Sequence, residues 1–220
     1  MFTGIIESIG IIDKVDKKGQ DLVLYVNSNK LDLSHVRLGD SIAVNGVCLT
    51  VIALSDHGFK ADVSSESLKH TNIASYHEGS RVNLEKALTL STRLGGHLVS
   101  GHVDGIGQVI NKQVDGRSVR FDLACDAEIQ KYIANKGSIT VDGVSLTVTG
   151  LIESGFSLNI VPHTAAQTTI QSYLSGDKVH IEVDLMARYA EQLLKVGSRE
   201  GAGTDSKLDL TFLSEHGYLR

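Results

Sequence analysis

One eight-residue sentence is written twice in this chain: residues 44–51 read VNGVCLTV and residues 141–148 read VDGVSLTV, 97 positions later. The rest of the sequence repeats at the same spacing without a gap. Gly4 falls on Gly101, Ser41-Ile42 on Ser138-Ile139, Gly58-Phe59 on Gly155-Phe156, Ser75-Tyr76 on Ser172-Tyr173 and Glu85 on Glu182. Roughly two dozen identities in one register exceed chance for a single fixed offset and mark a duplicated domain. A period near 100 residues matches an independent domain and is too long for a solenoid repeat. The copies meet near Leu94-Gly95-Gly96-His97, where paired glycines suit a short connection, and the repeat stops after about Asp184. The expected organisation is two homologous domains, 1–97 and 98–184, followed by a segment 185–220 outside the repeat.

Within each half, short alternating runs separated by turn residues predict β-strands over 4–14, 21–27, 40–45, 47–54, 58–64 and 80–86, and again 97 residues later. Six short strands in about 90 residues fit a closed or nearly closed barrel that hides its edges. The expected fold class is therefore mainly β: two tandem six-stranded barrels with short helices. Helical patterns occur at Asp126–Ile133, more weakly at Leu31–Val36, and after the fifth strand of each half at 64–76 and 164–174. One long amphipathic helix is predicted at Leu185–Val196, with Leu185, Tyr189, Leu193 and Leu194 on one side and Gly197 placed to end it. Its stripe needs a partner, either a second copy of the chain or a barrel. The tail reads as a polar linker, 197–206, then an apolar segment able to dock.

Composition narrows the function classes. The chain is 41% hydrophobic, lacks a long apolar run and carries no basic-plus-apolar leader, so no membrane span and a cytoplasmic location are expected. Net charge is -5 and the cations are scattered, which leaves no footprint for nucleic acid. The two cysteines, Cys48 and Cys125, stand at non-equivalent positions, so neither a disulfide framework nor a zinc site is expected. His97 and His102 would face opposite sides of a strand over 98–109, and no third ligand accompanies them.

The duplicated hairpin sorts its own side chains. Asn45-Gly46 and Asp142-Gly143 are preferred central pairs of a two-residue type I′ turn. Pairing Val44 with Val47 sets Ala43 opposite Cys48, Ile42 opposite Leu49 and Ser41 opposite Thr50. Ile42, Val44, Val47, Leu49 and Val51 then form a core face. The other face carries Ser41, Cys48 and Thr50, matched by Ser138, Ser145 and Thr147. Solvent faces usually carry charges, and neither row has any, so a ligand-facing surface is expected.

MFTGII at the start, NGVCLTV, GGHLVSGHVDG at 95–105, DGVSLTV and IVPHTAAQTT at 160–169 together resemble the riboflavin synthase family, alpha-chain type, over nearly all of residues 1–197. That resemblance implies two Greek-key barrels, a C-terminal helix that joins a homotrimer, and no metal or redox cofactor. It implies an enzyme, a transferase, that converts two molecules of 6,7-dimethyl-8-ribityllumazine into riboflavin and 5-amino-6-ribitylamino-pyrimidinedione by passing a four-carbon unit between them. The productive site of such enzymes lies between the N-terminal barrel of one subunit and the C-terminal barrel of its neighbour. A non-catalytic lumazine or flavin carrier of the same family is the alternative, and both halves keeping the polar row favours the enzyme.

Carried over residue by residue, the resemblance implies a first pocket from Gly4, Ile5, Ile6, Cys48, Leu49 and Thr50 with Asp62, Val63, Ser64, Ser65, Glu66 and Ser67. Gly101, His102 and Val103 belong with it. The second pocket would use Lys136, Ser145, Leu146 and Thr147 with Asn159, Ile160, Val161, Pro162, His163 and Thr164. Short hydroxyls and backbone groups suit the pyrimidinedione edge, and Glu66 the ribityl hydroxyls. For catalysis the resemblance implies His102 as acid/base group, with Cys48 and Ser41 near it to position an adding water. A covalent role for Cys48 is not expected, because its copy is Ser145. His163 stands where the first repeat has Glu66.

Overall fold

A computed structural model of the chain describes residues 1–201, with side chains through 196. The first repeat folds as β1 (Ser8–Lys18), β2 (Asp21–Asn27), β3 (Ser41–Val44), β4 (Val47–Ser55), β5 (Gly58–Val63), α1 (Ser65–His70) and β6 (Arg81–Lys86). The second gives β7 (Gly105–Asp115), β8 (Ser118–Ala124), α2 (Ala127–Gln130), β9 (Ser138–Val141), β10 (Val144–Ile152), β11 (Gly155–Ile160), α3 (Pro162–Gln167) and β12 (Lys178–Val183). Each set closes on itself as an antiparallel barrel, in the order β1-β2-β5-β4-β3-β6 and the equivalent order in the second half. Closure leaves no free strand edge, which is how a small sheet with two-faced alternation avoids pairing with other chains. Each barrel has its own core, one built around Ile12, Leu24, Ile42, Val63 and Leu84, the other around Leu123, Ile139, Phe156, Ile160 and Ile181. Met1–Leu185 forms one compact unit and the chain from Met186 a second.

The hairpin register is the one the sequence dictates: Val44 pairs with Val47, Ala43 with Cys48, Ile42 with Leu49 and Ser41 with Thr50. Both turns take positive φ at both central residues, 46° and 80° at Asn45-Gly46 and 44° and 80° at Asp142-Gly143, as a type I′ turn requires. The two turns also pack tip against tip. A Cβ on Gly46 would stand 2.7 Å from the backbone nitrogen of Gly143, and one on Gly143 would stand 2.7 Å from that of Gly46.

Around these tips the barrels meet through a network that obeys the repeat. Asn83 donates its backbone N–H to Asn45 Oδ1 (2.7 Å), and His180 donates its own to Asp142 Oδ1 (2.7 Å). Asn83 Nδ2 donates to Asp142 O (2.9 Å), while His180 Nδ1 donates to Asn45 O (2.8 Å). Thr169 N donates to Asn83 Oδ1 and Asn72 N to His180 Nε2, which fixes the His180 tautomer. An amide and an imidazole thus do the same double duty at equivalent places. Tyr76 and Tyr173 close the network on Asn45 and Asp142, and burial pushes both phenols above their ordinary range.

Several elements differ from the sequence reading, each for a local physical reason. The first strand runs 8–18 rather than 4–14, because residues 2–6 run to the other barrel. Leu31–Val36 is not helical: Asp32 Oδ1 accepts from Ser34 N (2.9 Å), a side-chain turn that competes with helix. The helix expected to Ile133 ends at Gln130, after which Tyr132 and Ile133 donate to residues three back and tighten the chain. The stretches 64–76 and 164–174 are each broken by an extended threonine, Thr71 and Thr168, and the second begins earlier because Pro162 suits a first helical position. The last helix, α4 (Leu185–Gly201), passes through Gly197, since one interior glycine costs a helix only about 1 kcal/mol. The docking segment expected after 206 lies outside the described residues.

Candidate functional site

Residues 2–6 and 99–103 build the site by exchange. Phe2 N donates to Val99 O (2.7 Å) and Val99 N to Phe2 O (3.1 Å), so the two repeat starts cross. Each then runs to the other barrel. Cys48 N donates to Gly101 O (2.9 Å), and Ser145 N donates to Gly4 O (2.7 Å). Val103 packs on the first core and Ile6 on the second. Gly4–Ile6 therefore belongs with Ser145, not with Cys48 as the resemblance implies. A strand start that leaves its own barrel carries no local sequence signal, which is why the grouping was not legible.

Two buried glutamates hold this crossing. Glu85 Oε1 accepts from Thr3 N (2.6 Å) and Thr3 Oγ1 (2.7 Å), and its Oε2 from Gly4 N (2.9 Å). Glu182 does the same for Ser100 N (2.6 Å), Ser100 Oγ (2.6 Å) and Gly101 N (3.0 Å). Burial raises both carboxyls above the usual range, against the lowering effect of those donors. Gly4 and Gly101 have φ of 75° and 81°, and a Cβ on either would stand 2.6 Å from the Cβ of Ser145 or Cys48. Glycine is required there by conformation and by contact.

On the first barrel a cleft of about 240 Å³ opens between Val47-Cys48, the helix residues Glu66, Ser67 and His70, Thr71, and the arriving Gly101-His102-Val103. Six of the residues implied by resemblance line it: Cys48, Glu66, Ser67, Gly101, His102 and Val103. Ser64 caps α1 by accepting from Ser67 N (3.2 Å), and Asp21 Oδ1 accepts from Ser65 N (2.7 Å), which fixes the helix at the cleft wall. Lys69 and then His70 hold the Glu66 carboxyl below its ordinary range, so it meets a ligand ionised. His102 is exposed, and its backbone N–H donates to Ser100 Oγ (3.2 Å). Asp62, Thr50 and Ser41 pair through one another on the outer face and do not line the cleft. Leu49 and Val63 point into the core and can offer a ligand only their backbone.

The second barrel repeats the frame with other chemistry. Ser145 and Leu146 are half-buried, Thr147 is exposed, and Val161 replaces Ser64 at the head of α3, where no side chain caps the helix. Pro162, His163 and Thr164 form its first turn; Asn159 is exposed and Ile160 buried in the core. Lys136 sits exposed at φ 66°, its N–H donating to Val148 O (2.8 Å). A residue outside the implied set reaches the same place: His97 Nδ1 lies 2.7 Å from Ser145 Oγ, and His97 Nε2 lies 3.2 Å from Thr140 Oγ1. Burial lowers the His97 pKa, with Asp184 opposing. The strand expected over 98–109 starts only at Gly105, so His97 lies in a loop and turns both nitrogens to hydroxyls. Cys125, half-buried against the second core, is pushed up to about 11 by burial, which suits an inert thiol. Among the described residues no group of three or more His, Cys, Asp or Glu is placed to hold a metal ion. Nor is any helix among them long and apolar enough to cross a membrane. A larger groove of about 490 Å³ follows the turn-to-turn contact, lined by Asn45, Tyr76, Asp142, Tyr173 and their neighbours, and contains none of the implied site residues.

Two barrels whose repeat starts cross over define a duplicated fold, and the model of the lumazine binding domain matches the chain twice, at residues 3–87 and 100–184. Riboflavin synthases align along the whole length: that of Photobacterium phosphoreum is 48% identical over 219 residues, covering 100% of both chains. That of Bacillus subtilis (strain 168) is 41% identical over 218 residues, covering 99% of this chain and 100% of its own. The chain belongs to the riboflavin synthase family. Among solved structures, LumP complexed with riboflavin has the same fold, with a TM-score of 0.77 at 23% identity, covering 83% of this chain and 99% of LumP.

Proposed function

We infer that the chain catalyses the dismutation of two 6,7-dimethyl-8-ribityllumazine molecules, giving riboflavin and 5-amino-6-ribitylamino-pyrimidinedione. The observation that supports this reading is the reciprocal exchange: one chain repeats one frame twice with different chemistry, Cys48 hydrogen-bonded to Gly101 and Ser145 hydrogen-bonded to Gly4. A reaction that consumes two copies of one molecule, one as donor and one as acceptor, needs that kind of inequality on a shared design. Domains 1–97 and 98–184 each hold one lumazine. Segment 185–220 assembles a homotrimer through α4, whose Tyr189, Leu193 and Leu194 are exposed. The productive site then pairs the first barrel of one subunit with the second barrel of its neighbour, in the cytoplasm. Holding two rings face to face replaces a bimolecular encounter and can supply about 7–11 kcal/mol of barrier lowering.

Within the cleft, His102 moves the proton of the lumazine C7 methyl group: it lines the cleft and is exposed, whereas His70, the other imidazole there, lies 3.3 Å from the Glu66 carboxylate. Cys48 positions from the cleft the water that adds at C7 of the second lumazine; Ser41 lies outside the cleft lining, opposite Thr50 on the β3–β4 ladder. Glu66 takes the ribityl hydroxyls, and Lys136 with Asn159 to Thr164 frames the second ring. The test is incubation of the protein with the lumazine alone. Growth of riboflavin absorbance supports the reading; stable bound fluorescence without turnover shows a carrier instead.

A further inference from the structure

The two hairpins differ at a cluster that repeat symmetry does not share. Thr140 and Ser145 stand directly opposite each other on the β9–β10 ladder, and the His97 ring bridges them, 3.2 Å from one hydroxyl and 2.7 Å from the other. The equivalent ladder pair in the first barrel is Ala43 and Cys48, which pack with Phe2 and Val99 in an apolar cluster. His97 itself lies between the matched segments 3–87 and 100–184, outside the duplicated part. Its position is fixed from behind. His97 N donates to Thr3 O (3.2 Å), and a Cβ on Gly96 would stand 2.1 Å from that oxygen and 2.8 Å from Ser145 Oγ. Three chemically linked changes, alanine to threonine, cysteine to serine, and an added imidazole, thus turn an apolar corner into a hydrogen-bonded relay.

We propose that His97, backed by Thr140, is a positioning residue that makes the Ser145 hydroxyl the specificity element of the second pocket. This rests on the lumazine reading of the site. An imidazole without an added proton has one donor and one acceptor nitrogen, and each hydroxyl can do either. The relay therefore runs in two directions. With Ser145 O–H donating to Nδ1, the Ser145 lone pairs receive a ligand N–H; with Nδ1–H donating to Ser145, its hydrogen goes to a ligand carbonyl. A pyrimidinedione edge presents carbonyl and N–H groups side by side, so this relay matches it in either register. Cys48 offers only a weak S–H donor at the same place, and the first pocket holds its ligand by shape and by Glu66 instead. Burial disfavours the imidazolium form, which keeps the relay reversible.

The test is calorimetric titration of the full-length protein with riboflavin, which the protein cannot turn over alone. The wild type is expected to show two unequal classes of site. His97→Phe should weaken one class about ten-fold and leave the other unchanged; Cys48→Ser should affect only that other class. His97→Gln should restore most of the loss, as Asn83 already does the work of His180 at an equivalent place. Thr140→Ala, behind the ring and away from the ligand, should weaken the same class about three-fold, which guards against a folding defect in His97→Phe. A single class of sites in the wild type, equal weakening of both, or no change in either overturns the proposal. Turnover of lumazine is read separately: unequal sites without turnover sink the enzyme reading alone, and turnover with equivalent sites sinks this proposal alone.

Discussion

Glu85 and Glu182 show how one buried side chain can place a whole segment. Each takes two backbone N–H groups and a hydroxyl, and so holds the glycine whose carbonyl receives the hairpin of the other barrel. Glu182→Ala would leave buried donors unpaired, at a cost of about 3 kcal/mol in urea unfolding. Glu182→Gln, which keeps one acceptor oxygen, should lose clearly less; equal losses would mean the clamp matters only through packing. His97 gives a second prediction at this scale. Burial lowers its pKa below the ordinary 6.5, so the folded chain binds that proton less tightly than the unfolded one. The stability this lends is complete above the ordinary value and is lost as pH falls from there through the lower folded value. The thermal transition of the wild type should therefore drop further between pH 7 and pH 5 than that of His97→Gln, and parallel curves would contradict it.

At the scale of elements, the hairpins do more than turn. Gly46 needs positive φ, and its Cβ position is also filled by the facing turn, 2.7 Å from Gly143 N. Gly19 also has positive φ, 64°, but nothing lies within 4 Å of its Cβ position. Gly19→Ala should cost about 1 kcal/mol from backbone strain alone, and Gly46→Ala about 2 kcal/mol or more, because the neighbouring turn must also shift. Denaturant midpoints of the two variants separate the contact from the strain. The hairpins were fully legible in the sequence, since Asn-Gly, Asp-Gly and the alternation around them are local signals. So were the barrels, through the repeat. What stayed hidden was non-local: the exit of residues 2–6 to the opposite barrel, and the Asn83 and His180 bridges across it. Of the site, Cys48, Glu66 and His102 were found together through the family motifs. His97 was visible as a residue but not as a partner of Ser145, because a strand was expected where the chain forms a loop. Its best signal was indirect: Thr140 falls on Ala43 and Ser145 on Cys48, two polar changes on one ladder rung.

For the whole molecule, duplication supplies two barrels, and exchange seats the start of each repeat on the hairpin of the other. If the productive site joins barrels from neighbouring subunits, a lesion in one pocket can be bypassed by mixing. Ser145→Ala and Cys48→Ser chains, each impaired alone, should regain part of the activity when unfolded together and reassembled, through sites that contain neither change. Failure to recover any would speak against the intersubunit pairing. The proposed reaction of two copies of one molecule on two unequal halves of one frame is tested by the stoichiometry of turnover with 6,7-dimethyl-8-ribityllumazine as sole substrate, followed by absorbance and product separation. Two lumazines should be consumed for each riboflavin formed, with one pyrimidinedione released and no added cofactor. Consumption in equal numbers, a requirement for a second substrate, or bound lumazine that never turns over would contradict it.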